Sequence, residues 1–133
     1  MKISIVTLFP KMIAGFLQES IVKRAVEKKL VEVDLVNLRD FATDKYGSVD
    51  DRPYGGGAGM VMRADIICSA LKNIKYQNSN IKKKTILTSP KGSVFNQEKA
   101  QEFSKLDNLV IIAGHYEGVD ERVLDYVDEE VIS

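Results

Sequence analysis

Net charge of one sign is missing from this chain. Nineteen Lys and Arg are offset by nineteen Asp and Glu, so the formal net charge is zero. A domain that holds nucleic acid by itself is usually basic, because phosphate neutralisation supplies much of the affinity. Composition therefore gives no support for a nucleic-acid partner and argues against this segment being the main docking surface. Cysteine is all but absent. Cys68 stands alone, which excludes an intrachain disulfide and fits a reducing compartment. It lies in the apolar-periodic run Ile66-Ile67-Cys68-Ser69-Ala70-Leu71, where a buried structural thiol is expected. Long hydrophobic runs are missing too. The first, Ile3 to Phe9, contains Ser4 and Thr7 and stops at Pro10-Lys11, too short for a signal core or a bilayer span. No later stretch approaches about 18 consecutive apolar residues. A soluble, cytoplasmic protein with no membrane partner is expected. The standard phosphate loops are also lacking. Gly55-Gly56-Gly57-Ala58-Gly59 has no Gly-Lys-Ser/Thr ending, and the first strand ends in Leu8-Phe9-Pro10 without a glycine.

What is present suffices for one compact domain. The 133 residues are 44% hydrophobic and 29% charged, the mixture of a globular protein with a real core. Ile3 to Phe9 is a β-branched run closed by Pro10 and reads as a buried strand. From Lys11 to Lys28, Ile13, Phe16, Leu17, Ile21 and Ala25 recur on one face of an expected single helix. Val31, Val33 and Leu35 alternate with Glu32 and Asp34, which predicts a second strand. The connection from Arg39 to Arg63 is far longer than the usual span of about 4–6 residues, a length that goes with function or disorder. Asp65 is the expected cap of a helix running to about Ile74, followed by a polar loop from Asn73 to Lys84. Thr85 to Ser89 predicts a strand broken by Pro90, and Asn96 a cap for a helix to about Lys105. Leu109 to Ala113 is almost purely apolar, as in a strand covered on both faces. Val119 to Tyr126 predicts a short helix, and Val131-Ile132-Ser133 a strand start. Strand and helix alternate throughout, without internal repeats. The expected class is α/β, a mostly parallel sheet with helices on both faces.

In open parallel sheets, ligands bind beyond the carboxyl ends of the strands. Two such ends stand out, Thr88-Ser89-Pro90-Lys91-Gly92 and Gly114-His115-Tyr116-Glu117-Gly118. Gly114 and Gly118 bracket a loop that lets backbone approach a ligand, Tyr116 offers a flat ring, and Glu117 a carboxylate. Together they suit a flat, polar ligand carrying positive charge. Two capping turns with a surface glutamate would look the same. His115 is the only histidine. No catalytic set can be assembled around it and a metal site needs further ligands, so it is read as a loop residue and no metal is expected. Asp50, Asp51 and Arg52 read equally as an internal ion pair or as a substrate-facing group.

Leu8-Phe9-Pro10, Arg39-Asp40-Phe41, Val49 through Met60, Ser89-Pro90 with Gly92, and Gly114 through Arg122 follow one another in an order and spacing that resembles the bacterial tRNA (guanine-N1)-methyltransferases, of the knotted SPOUT class. The resemblance covers the whole chain. It implies a homodimeric enzyme that moves a methyl group from S-adenosylmethionine to N1 of the guanosine just 3′ of the anticodon in tRNA. It also implies a trefoil knot, an exception to the near-absence of threaded chains. The methyl donor would be held by Leu87, Thr88, Ser89 and Pro90 together with Gly114, Tyr116, Glu117 and Gly118. Glu117 is the one candidate catalytic residue, and Asp50, Arg52 and Tyr54 are candidate substrate contacts. Participation of Mg²⁺ is left open. His115 stands where some relatives carry arginine and receives no catalytic role. Family members continue with a third cofactor loop that closes the knot, and with a helical tRNA-binding domain carrying the aspartate thought to act as general base. Residues 1–133 are therefore expected to be an incomplete S-adenosylmethionine-binding domain, without the C-terminal tRNA-binding domain. The alternative is a noncatalytic ligand-binding or dimerisation module of the same fold.

Overall fold

The computed structural model describes residues 1–42, 50–51, 61–74, 81–114 and 119–132. In chain order these form β1 (Lys2–Thr7), α1 (Pro10–Ala14), α2 (Ser20–Glu27), β2 (Glu32–Asn37), β3 (Asp50–Asp51), β4 (Val61–Met62), α3 (Ala64–Asn73), β5 (Lys83–Val94), α4 (Gln97–Ser104), β6 (Asn108–Ile112) and β7 (Glu129–Ile132). Three 3-10 helices, Gly15–Gln18, Leu38–Phe41 and Glu121–Tyr126, lie between them. Among the described residues the main sheet runs β2-β1-β6-β5-β7, and every neighbouring pair is parallel. A short antiparallel pair, β3 with β4, sets Asp50 opposite Met62.

β6 sits at the centre because its residues tolerate burial on both faces. Val110 and Ile112 pack with Val6, Leu38, Val123 and the inner side of α3. Leu109 and Ile111 face the other way, toward Ile86, Val131 and Phe103 of α4. One helix on each face completes the three layers, as the apolar composition of the strand predicts. Asn96 caps α4 as expected, its Oδ1 accepting the Lys99 N–H at 3.0 Å.

Several expectations need correction. The stretch from Lys11 to Lys28 is not one helix. It divides into α1, the first 3-10 helix and α2, with Glu19 extended and Ser20 at φ 52°. None of these pieces contains a buried residue. Phe16 and Ile21 are 71% and 75% exposed while Ile13, Leu17 and Ala25 are half-buried, so the periodic stripe is turned inward only in part. The turn at Glu19 and Ser20 breaks the alignment a single helix would have given it, and an apolar period alone does not say what it packs against. Asp65 is not the cap of α3. Arg63 occupies that position, and Asp65 lies in the first turn, where a carboxylate suits the positive helix end. The polar loop after Asn73 ends sooner than expected, since Lys83 and Lys84 already belong to β5. The last strand begins at Glu129, two residues ahead of Val131.

Pro90 does not end β5. The strand continues to Val94 through a bulge, because Thr88 and Ser93 both pair with Val131 of β7. Residues 89–92 fall between those two pairings, so the N–H that proline lacks is not demanded by the ladder. Gly92 is required at the bulge by close approach. A Cβ there would lie 2.5 Å from the Val131 amide nitrogen and 2.6 Å from the Glu130 carbonyl carbon.

On the α4 face, Glu129 ties three elements together. Its carboxylate accepts from Lys99 of α4 and, at 3.4 Å, from Lys84 of β5, which also reaches Glu102 at 2.7 Å. The bond from Lys99 holds the Glu129 carboxyl below its ordinary value, against burial.

Gly92→Ala is expected to cost about 1–3 kcal/mol or more, since rigid backbone must move, measured by urea unfolding. Glu129→Gln is expected to cost about 1 kcal/mol near neutrality. Because the folded carboxyl titrates lower than the unfolded one, its contribution is complete above the ordinary glutamate value of 4.5 and drains away below it. Unfolding free energies of the two proteins, measured from pH 7 downward, should converge on the acid side. A gap that stays constant would be inconsistent with this clamp.

Candidate functional site

The parallel register sets Leu87 opposite Ile112, the last residue of β6, while β5 runs on beside β7 to Val94, so the continuing strand passes the residues that follow β6. Thr88 joins them. Its hydroxyl donates to the Ile112 carbonyl at 3.3 Å and accepts the Gly114 N–H at 3.0 Å. Gly114 is then so close to the neighbouring strand that a Cβ would stand 2.9 Å from the Thr88 carbonyl oxygen. Leu87, Thr88, Ser89, Pro90 and Gly114 share one wall of a cleft of about 160 Å³. Five of the eight expected cofactor contacts thus come together at one place. Tyr116, Glu117 and Gly118 lie outside the described residues, as do Arg52, Tyr54 and His115. Asp50 is placed by its backbone in β3.

The rest of the lining was not legible beforehand. Val119, Glu121 and Leu124 come from the segment that returns from β6 to β7, and Glu130 from β7 itself, where it pairs with Leu87. Since β7 lies beyond β5, that segment has to cross β5 to reach it. Among the described residues, two carboxylates and one ammonium, that of Lys91, line the cleft, a balance that suits a ligand with positive charge. The signal for Glu121 was its place in the expected short helix. Glu130 had none, because the strand was read as starting after it.

The return segment is anchored at Asp120. Its N–H donates to the Met62 carbonyl at 3.0 Å, beside a bridge between Met62 and Val119. Its carboxylate caps the 3-10 helix, accepting from the Arg122 N–H at 2.9 Å, from Nε at 3.0 Å and from Nη2 at 2.5 Å. The Arg122 guanidinium holds the Asp120 carboxyl below its usual range, although burial pulls the other way. A second, larger cleft of about 490 Å³ opens on this side. Cys68 lies on its wall, half-buried where a buried thiol was expected. Burial still pushes that thiol up, opposed by a hydrogen bond with Tyr126, so its thiolate is disfavoured.

A five-stranded parallel sheet with helices on both faces defines an α/β protein, and the cleft lies beyond the carboxyl end of β6, where such sheets commonly bind ligands. The particular family follows from comparison. The model of the family described as tRNA (Guanine-1)-methyltransferase TrmD matches residues 1–133, and the chain belongs to that family. It is 53% identical over 132 residues to a protein of Citrifermentans bemidjiense named tRNA (guanine-N(1)-)-methyltransferase, covering 98% of this chain and 52% of that one. It is 47% identical over 131 residues to one of the same name from Clostridium botulinum strain Langeland, covering 98% and 53%. Among solved structures, it resembles the tRNA (m1G37) methyltransferase of Aquifex aeolicus with a TM-score of 0.86 at 39% identity, covering 98% of this chain and 58% of that one. The chain spans about half the length of these curated relatives.

Thr88→Val should leave the sheet intact while orphaning the Gly114 N–H. A cost of about 1–2 kcal/mol is expected, with faster amide hydrogen exchange at Gly114 than at Val110. Unchanged exchange at Gly114 would contradict the role given to the Thr88 hydroxyl.

Proposed function

We propose that this chain forms the cofactor half of a tRNA methyltransferase, which takes a methyl group from S-adenosylmethionine and places it on N1 of the guanosine 3′ of the anticodon. The observation that carries the reading is the convergence of Leu87, Thr88, Ser89, Pro90 and Gly114 on one cleft where β6 ends beside β5. Family membership supplies the chemistry. The residues fit the cofactor on two counts. Glu121 and Glu130 exceed Lys91 in charge, in keeping with a ligand of net positive charge. No phosphate loop is required, since this cofactor carries no phosphate.

When bound, the cofactor supplies an electrophilic methyl group on a sulfonium. The chain supplies position. Backbone around Leu87 and Gly114 suits an adenine edge and a ribose, and Thr88, by holding the two strand ends together, fixes their spacing. Restricting two reactants to one geometry is a large share of what such a transfer needs. Tyr116, Glu117 and Gly118 would complete the loop. A carboxylate at Glu117 would act on charge that changes as the sulfonium becomes neutral and guanine N1 loses its proton. Asp50, Arg52 and Tyr54 are assigned to the substrate side. Removal of the N1 proton requires a general base. A homodimer, the trefoil knot and a cytoplasmic site of action belong to the same proposal. Nothing here supports a role for Mg²⁺.

The test uses the complete gene product. It should transfer label from S-adenosylmethionine to the guanosine beside the anticodon of a tRNA transcript. Gly114→Val should weaken cofactor binding at least about ten-fold, since displaced backbone loses several contacts, and Glu117→Ala should lower single-turnover rate more than affinity. Absence of transfer by the unmodified protein would refute the reading. A Glu117→Ala protein with a normal rate and poor affinity would refute that residue's assignment alone.

A further inference from the structure

Ser4 interrupts the apolar run of β1 and is fully buried, at 0% exposure. Asn108, the first residue of β6, is 3% exposed. Among the described residues, neither the Ser4 hydroxyl nor the Asn108 Oδ1 has a hydrogen-bond partner. A polar atom that gives up water without gaining a partner bears its whole desolvation cost, and buried polar groups are therefore normally satisfied.

The two orphans belong together. Lys2 pairs with Asn108 and Ser4 with Val110, so Ser4 and Asn108 are diagonal neighbours on adjacent strands. Side chains alternate along a strand, and Val6, Val110 and Ile112 pack with Ile66 and Ile67 of α3. Ser4 and Asn108 therefore face that same layer. Strands about 4.8 Å apart, rising about 3.3 Å per residue, put diagonal positions on the order of 8 Å apart. Two short polar side chains leave between them a gap that one water spans with two hydrogen bonds of about 2.8 Å. Ile74, at the carboxyl end of α3 and 8% exposed, and Leu71 belong to the same core cluster.

The chemistry of the pair selects the occupant. Oδ1 only accepts, whereas a serine hydroxyl both donates and accepts, so a bridging molecule has to bring a donor. A metal ion brings none. It would also be an unpaired buried charge, because both oxygens are neutral. Among the described residues, no group of three or more His, Cys, Asp or Glu could hold one.

We propose that one water molecule is held between Ser4 and Asn108 as a fixed part of the fold, donating to Asn108 Oδ1 and hydrogen-bonded to the Ser4 hydroxyl. It ties β1 to β6 at the amino ends of the strands, the end of the sheet away from the cofactor cleft. It also gives a reason for serine in an apolar strand, since a larger apolar side chain would expel the water and leave Asn108 unsatisfied. Such buried waters act as structural parts and are costly to remove. The proposal is independent of the reading under Proposed function.

Long-lived internal waters can be counted by magnetic relaxation dispersion of the solvent. The complete gene product, its Ser4→Val and Asn108→Leu variants and the double variant are to be compared in this way, and the unmodified protein crystallised to locate ordered solvent. A density peak within hydrogen-bonding distance of both Ser4 Oγ and Asn108 Oδ1 is expected. Each single variant should lose one long-lived water. The double variant should also lose one and not two, because both residues hold the same molecule. Loss of two would mean separate sites and overturn the proposal, as would no loss in any variant. A direct hydrogen bond between the two side chains, a dry gap, or a metal ion at the position would overturn it as well. Should a variant fail to fold, the crystal structure of the unmodified protein decides.

Discussion

The registration of β5 against β6 is the constraint on which the rest depends. With Leu87 opposite Ile112, β6 stops beside a strand that continues to Val94. The residues after them, Thr88 on one and Gly114 on the other, are forced within hydrogen-bonding distance. Parallel strands are held to one register when both faces are buried, because a slip of one residue would carry every side chain to the wrong layer. Val110 and Ile112 are committed to α3, and Leu109 to α4. The geometry at the mouth of the cleft is thus enforced by packing well away from it.

A second constraint is topological. The chain leaves β6 and must reach β7, which lies on the far side of β5. Within the segment that makes this journey, residues 119–126 stand between two clefts and line both. Asp120 makes the wall rigid by joining it to Met62 and capping its helix. The short β3-β4 pair is joined to the wall at the same point, through Met62. Of the long connection that fitted no regular pattern, β3 and β4 are in this way attached to the site.

Local chemistry was readable where a residue's role depends on its immediate neighbours. Asn96 caps α4 because an amide oxygen three residues before a free N–H needs nothing else. The apolar block at Leu109 could only be a central strand. Reading failed where the outcome depended on what lay opposite. Phe16 and Ile21 have a helical period, yet the turn at Ser20 points them to solvent. Pro90 is a strand breaker by itself, but beside Val131 it falls in a bulge where its missing donor costs nothing. Glu130 and Arg63 became cleft residues only through elements far from them in the chain.

The sequence by itself determined the α/β class, the identity of the central strand, the two strand-end motifs and the family to which they point. Each of these is carried by residue type and short-range order, which the chain displays directly. Tertiary structure alone decided that Thr88 bridges Gly114, that Glu121 and Arg122 face opposite clefts from adjacent positions, and that Glu129 draws two lysines to one carboxylate. These are distances between residues up to 45 places apart in the chain. Such distances follow from strand order and register, which burial of the whole core settles at once.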